Sequence, residues 1–132
     1  MEILQPEGWI RPSGYSNGIK VEGEMIFVAG QVGWDEDCHF VSDNLTDQVR
    51  QALINVVTVL EEGNAKPEHI VRMTWYVTDI EEYRSSKKEI GSIYRDIIGD
   101  HYPAMSLFQV SALFDEGAKV EIEATAVIPA TE

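Results

Sequence analysis

The chain is poor in positive charge. It carries 10 Lys and Arg against 23 Asp and Glu, a formal net charge of -13 over 132 residues. Nucleic-acid binding draws on clusters of Lys and Arg that contact phosphates, and here the basic residues are scattered, with Lys87-Lys88 the only adjacent pair. A nucleic-acid partner is therefore not expected. Cysteine is almost absent as well. Cys38 is alone and cannot close an internal disulfide. No apolar run approaches the ~18 residues that a transmembrane helix needs, so no membrane partner is expected. The opening Met1-Glu2-Ile3-Leu4-Gln5-Pro6-Glu7 has neither a basic nor an apolar leader segment, which predicts no signal peptide. These absences together predict a cytoplasmic protein. Hydrophobic residues make up 44% of the chain, enough for a core, and the length predicts one domain spanning residues 1–132.

Hydrophobic periodicity predicts the element order β-β-α-β-α-β-β. A short strand is expected near Tyr15–Val21, turning at Glu22-Gly23 into Met25–Ala29. That second run is apolar without alternation, as in a strand buried on both faces. Leu45, Val49, Ala52, Leu53, Val56 and Leu60 recur at helical spacing over 44–62, with Asp43 or Asn44 as N-cap. The β-formers of Ile70–Val77 predict a strand. Asp79-Ile80-Glu81-Glu82 has the form of a cap and opens a second helix to about Ile98, with Gly91 inside it, where close packing is the expected reason for a glycine. Strands follow at Met105–Val110 and Ala118–Ile128. The expected class is α+β: a six-stranded mixed sheet, one strand more than the five that periodicity marks, with two helices packed on one face. Two helices leave the other face bare, and the simplest cover is another copy of the chain.

On the last strand Val120, Ile122 and Ala124 point one way, and Glu121 and Glu123 point the other, about 7 Å apart at ~3.3 Å per residue. Such a pair is either an exposed polar edge or a general acid/base whose pKa rises on partial burial. Trp34-Asp35-Glu36-Asp37-Cys38-His39 contains metal-ligating residue types, but consecutive loop residues converge poorly on one ion, so no metal is expected. No phosphate-cradling glycine loop and no dinucleotide fingerprint is present, and no cofactor is expected.

Tyr15 in Ser13-Gly14-Tyr15-Ser16-Asn17, Ala29-Gly30-Gln31, Tyr102-Pro103-Ala104-Met105-Ser106 and Lys119-Val120-Glu121-Ile122-Glu123-Ala124 resemble segments of the Rid family, also called YjgF-like or L-PSP-like. The resemblance runs from about Gly14 to Val127. It implies a chorismate-mutase-like (YjgF-like) fold, a homotrimer with sites between subunits, and hydrolysis of an imine or enamine bond in a small-molecule ligand. By the same resemblance, Glu121 handles water or a proton, Tyr15 contacts the ligand, and the Gly30 N–H approaches it. Ala29 replaces a hydroxyl-bearing residue, Leu107 stands where many deaminating members have Cys, and Gly91 replaces a polar residue that frames the site. Met105 stands where those members carry the Arg that grips the substrate carboxylate. A thioether offers only a soft apolar wall in place of that charged fork. Trp34 follows Gly30-Gln31 closely and is expected to wall the same pocket, and Arg11 is a possible substitute cation. The reading is of a cofactor-independent hydrolase of the imine/enamine deaminase type. A non-catalytic trimer that binds small ligands in the same clefts is the alternative, with a protein-interaction or chaperone-like role behind it.

Overall fold

A computed structural model describes residues 1–130; residues 131 and 132, which the expected domain includes, lie outside the described residues. Its order is β1 (Glu2–Leu4), β2 (Gly18–Lys20), β3 (Gly23–Val32), α1 (Leu45–Glu62), β4 (Ile70–Val77), α2 (Ile80–Ser85), α3 (Lys87–Ile97), β5 (Ala104–Gln109) and β6 (Val120–Pro129). A short 3-10 turn, Pro67–His69, leads into β4.

The α+β class and the mixed sheet are as expected; the strand arrangement is not. Four strands form one sheet in the order β3-β6-β4-β5, with β4 and β5 parallel and the other pairs antiparallel. The remaining two form a separate ribbon in which Glu2 pairs with Lys20 and Leu4 with Gly18. So the strand near Gly18 does not turn back on β3. It pairs instead with the N-terminus, whose three-residue strand is too short to leave an alternating pattern. Gly23 belongs to the β6 pairing. A Cβ there would fall 1.9 Å from the Ile128 carbonyl oxygen, so the glycine allows strand contact.

α1 forms as its spacing predicts. The Asn44 side chain accepts from the Thr46 and Asp47 N–H groups, and all six residues of the expected face are buried. Asn64, at φ 61°, takes the left-handed turn after α1, while Gly63 lets Ile26 approach. The second expected helix is two. Asp79 caps α2 through the Glu81 and Glu82 N–H groups, and the chain then shifts at Ser86, whose N–H returns to Glu82 and Tyr83 carbonyls. Ser85 adds a hydroxyl bond to the Glu82 carbonyl; serine hydroxyls compete in this way with helix continuation. Three helices, not two, therefore lie on the sheet's covered face.

Register divides the sheet cleanly. Val28, Met73, Trp75, Val77, Val120, Ile122, Ala124 and Ala126 face the helices and are all buried. Residues of the opposite parity, among them Phe27, Thr74, Tyr76, Phe108, Glu121 and Glu123, face away. Met25 and Phe27 are 59% and 71% exposed in one chain. The run Met25–Ala29 is therefore buried on one face only in the protomer, through Val28, with Ile26 packed against the core. Gln48 pins the loops above the core: its Nε2 donates to the Ser42 and Gly117 carbonyls and its Oε1 accepts from the Lys119 N–H. No helix among the described residues is long and apolar enough to cross a membrane.

Candidate functional site

Two groups of residues stand out, and they lie on opposite faces of the sheet. The first surrounds a cavity of about 450 Å³ on the helix side, near the outer strand β5. Met105 and Leu107 of β5 form part of its wall with Trp75 of β4. Tyr83 of α2 and Ile90, Gly91 and Tyr94 of α3 continue it, and Tyr15 and Tyr102 complete it. Tyr15 reaches β5 because its neighbour Ser16 is tied there. The Ser16 N–H donates to the Pro103 carbonyl, its hydroxyl to the Tyr102 carbonyl, and a parallel bridge joins Ser16 to Ala104.

The walls are largely aromatic. Tyr94 stacks on Tyr102 at 5.4 Å and 13°, and its hydroxyl donates to the His101 carbonyl at 2.6 Å. Trp75 meets Tyr83 edge-on at 6.3 Å. Burial pushes the Tyr83 and Tyr94 phenols up, with the nearby Tyr102 adding to the effect at Tyr94, so both stay neutral at working pH. Gly91 was expected to serve close helix packing. It does not: a Cβ there would meet only the Arg95 Nη1, at 3.4 Å. The missing side chain leaves space in the cavity wall. Lys87 and Arg95 line the same cavity and both are exposed, which places them at its mouth. Sequence reading passed over them, although 87, 91 and 95 share one helix face by their four-residue spacing. Arg11, by contrast, is not in the wall of this cavity.

The second group is built on β3 and β6. The pairing of these strands slips between Val28 and Gln31, so Ala29-Gly30 form a bulge. A Cβ on Gly30 would lie 2.2 Å from Glu121 Oε2. Only glycine leaves the carboxylate where it is. Glu121 is part-buried, and its pKa is raised, first by desolvation and then by the charges of Asp115 and Glu123. A carboxyl so placed holds a proton further toward neutrality than an ordinary Glu. Glu123 is committed elsewhere: its Oε1 accepts from the Tyr76 hydroxyl at 2.9 Å.

One chain thus brings together Tyr15, Gly91, Met105 and Leu107 in the cavity, and Ala29, Gly30 and Glu121 at the bulge. Glu121 shares its face with Tyr76 and Phe108, whereas Met105 and Leu107 share theirs with Met73 and Trp75. No single chain can present both sets to one small ligand. Trp34 joins neither group. It packs on Phe40 at 5.5 Å, and its carbonyl accepts from Asn55 Nδ2. In the same loop Asp35 accepts from the His39 N–H and then the Asp37 N–H, which depress its pKa in that order of effect. This carboxylate holds the turn.

A profile of the family described as Endoribonuclease L-PSP matches residues 10–128. The chain belongs to the Rid/YjgF/L-PSP family. A RutC family protein of Aquifex aeolicus is 35% identical over 128 residues, covering 96% of this chain and 98% of its own. The 2-iminobutanoate/2-iminopropanoate deaminase of Homo sapiens is 29% identical over 114 residues, 86% of this chain and 79% of its own. Among solved structures, the Rid-family protein of unknown function YyfB from Yersinia pestis superposes with a TM-score of 0.81 at 30% identity, over 96% and 98% of the two chains. The matched span contains Tyr15 and Met105 as well as Gly30 and Glu121.

Proposed function

We propose that this Rid protein, one family domain over residues 1–132, is a cofactor-independent hydrolase of the imine/enamine deaminase type. It acts on a small metabolite in clefts between the subunits of a homotrimer. The observation that carries this is the placement of Glu121. It is part-buried over Gly30, its pKa is raised, and it faces away from the helices on the bare side of the sheet. A second copy covering that side would bring its own cavity, with Tyr15 and Met105, toward Glu121. The bare face favours such an assembly, since Met25, Phe27 and Phe108 are more than half exposed in one chain. In the assembled cleft Glu121 accepts a proton from water as the water oxygen adds to the imine carbon, and returns it to the nitrogen to give a carbinolamine. It then carries the hydroxyl proton to that nitrogen as the C–N bond breaks, leaving a carbonyl and releasing ammonia. Tyr15 orients the ligand, and the Gly30 N–H meets a polar substituent. Met105, where deaminating relatives are expected to carry Arg, leaves the inner wall apolar.

A second reading is that the trimer only binds. It is favoured by the cavity being complete within one chain, without Glu121. The test is hydrolysis of 2-imino acids generated in place by an amino-acid oxidase, with semicarbazide trapping the survivors. Wild type is expected to be active, and Glu121→Ala to lose about 100-fold or more, the usual contribution of a general acid/base. Activity appearing only in Met105→Arg would mean that the scaffold is competent and the pocket is tuned to another ligand. Silence of wild type, Glu121→Ala and Met105→Arg alike would leave the binding reading.

A further inference from the structure

We infer that the helix-face cavity takes an organic anion with an apolar or aromatic body, its carboxylate held at the mouth by Arg95 with Lys87. This deepens the proposed function and rests on the cavity being the ligand site.

Charge supports it first. The chain has an excess of acid, and Arg50, Arg84 and Lys119 are neutralised by Asp96, Glu81 and Glu82, whereas Lys88 of α3, outside the cavity wall, is in no ion pair among the described residues. Lys87 and Arg95 have no carboxylate partner among the described residues, yet they lie two helical turns apart on one face, with the bare Gly91 between them. Two unpaired cations on a strongly acidic protein, both lining one cavity, create the local positive potential that an anion needs to approach. Gly91 makes the geometry possible. Its absent side chain leaves the space beside Arg95 Nη1 open, so the guanidinium can turn toward a bound carboxylate and offer two N–H donors.

The interior sets the rest of the ligand. Five aromatic side chains, with Met105, Leu107 and Ile90, form walls suited to a ring or a branched chain, and about 450 Å³ is within the range of small-molecule sites, roughly 300–1,000 Å³. The indole Nε1 of Trp75, a residue 1% exposed, is buried with no hydrogen-bond partner. A buried N–H without an acceptor is costly, and a ligand oxygen in the cavity that Trp75 lines would supply one. Met105 fits the same scheme: the charge anchor lies on α3 at the rim, and the β5 wall is left for apolar contact.

The test is calorimetric titration of the whole protein with 3-phenylpropanoate, its neutral amide and propanoate. The phenyl acid is expected to bind more tightly than either of the others. Arg95→Gln should weaken the acid about fivefold, the scale of a partly exposed charge contact, and leave the amide unchanged. Lys87→Gln should do the same to a smaller extent. Lys88→Gln removes an equal charge one residue away, outside the cavity wall, and should change nothing. Arg95 is exposed, so its loss does not threaten the fold. Gly91→Leu should weaken acid and amide alike by filling the space. Equal affinity for acid and amide, no binding of either, or an equal effect of Lys88→Gln and Arg95→Gln would overturn the inference. Loss of the charge preference leaves imine hydrolysis standing, whereas a silent enzyme that still prefers the acid overturns only the hydrolysis.

Discussion

The two faces of the sheet are made by the same strands and have opposite fates. Toward the helices, Trp75, Ile122, Val120 and Met73 are sealed by α1 and α3 within one chain. On the other side Phe27, Met25 and Phe108 stand exposed beside Thr125, Thr74 and Glu121. A period of two puts alternate residues on alternate faces, so β6 serves both with a single sequence. The covered face is a folding surface. The bare face mixes large apolar groups with acid, hydroxyl and phenol. That is the character of a surface that meets another molecule, since apolar groups so exposed gain by being removed from water.

If this contrast is right, damage to the covered face acts on the fold of each chain and damage to the bare face acts on assembly. Leu53→Ala should have the largest effect. Leu53 is fully buried in α1 against the sheet, and truncation to Ala should cost about 2–5 kcal/mol at any protein concentration, read from urea unfolding. Phe27→Asp should leave a folded chain with native far-ultraviolet dichroism but lower its sedimentation mass toward the monomer. A native mass for Phe27→Asp would mean that this face is not the subunit interface.

Asn44→Ala sharpens the comparison from the covered side. It removes the acceptor for the Thr46 and Asp47 N–H groups and touches neither the bare face nor the cavity. A loss of about 1 kcal/mol is expected for such a cap, with unchanged sedimentation mass. A change in mass would show that helix and interface are coupled more closely than the register suggests.

The covered face was legible in the sequence and the bare one only in part, through Glu121 and Glu123, for physical reasons. The i, i+3, i+4 spacing of Leu45, Val49, Ala52, Leu53, Val56 and Leu60 has one structural solution in an amphipathic helix, and α1 adopts it. Asp79 marks a helix start by its own chemistry. Met25–Ala29 carried only the message that both faces are apolar, and one chain buries just one of them. The break at Ser86 depends on which carbonyls its N–H reaches, which no periodicity encodes. The candidate site shows the same division. Tyr15, Met105 and Leu107 converge because Ser16 is tied to Tyr102, just ahead of β5, a contact between residues 86 apart. Lys87 and Arg95 share a helix face by their spacing, but scattered charge in a sequence usually marks a solvated surface. Trp34 sits close in sequence to Gly30 yet packs on Phe40.

The smallest expected effect is also the most direct probe of the bare face. Glu121 is held above its ordinary pKa chiefly by desolvation, with Asp115 and Glu123 adding to it. A carboxyl whose folded pKa exceeds the unfolded value favours the folded state while protonated, and that advantage is lost as pH rises through the folded pKa. Glu121→Gln mimics the protonated form. It should therefore match wild-type stability below about pH 4, where both states of the carboxyl are protonated, and exceed it at neutral pH. The bare face makes a further demand. Covering Glu121 with a second subunit deepens its desolvation, so the stability gain at neutral pH should be larger in the assembled protein than in the Phe27→Asp background. Equal gains in both backgrounds would place Glu121 outside the interface, and no gain in either would mean that solvent still reaches the carboxylate freely.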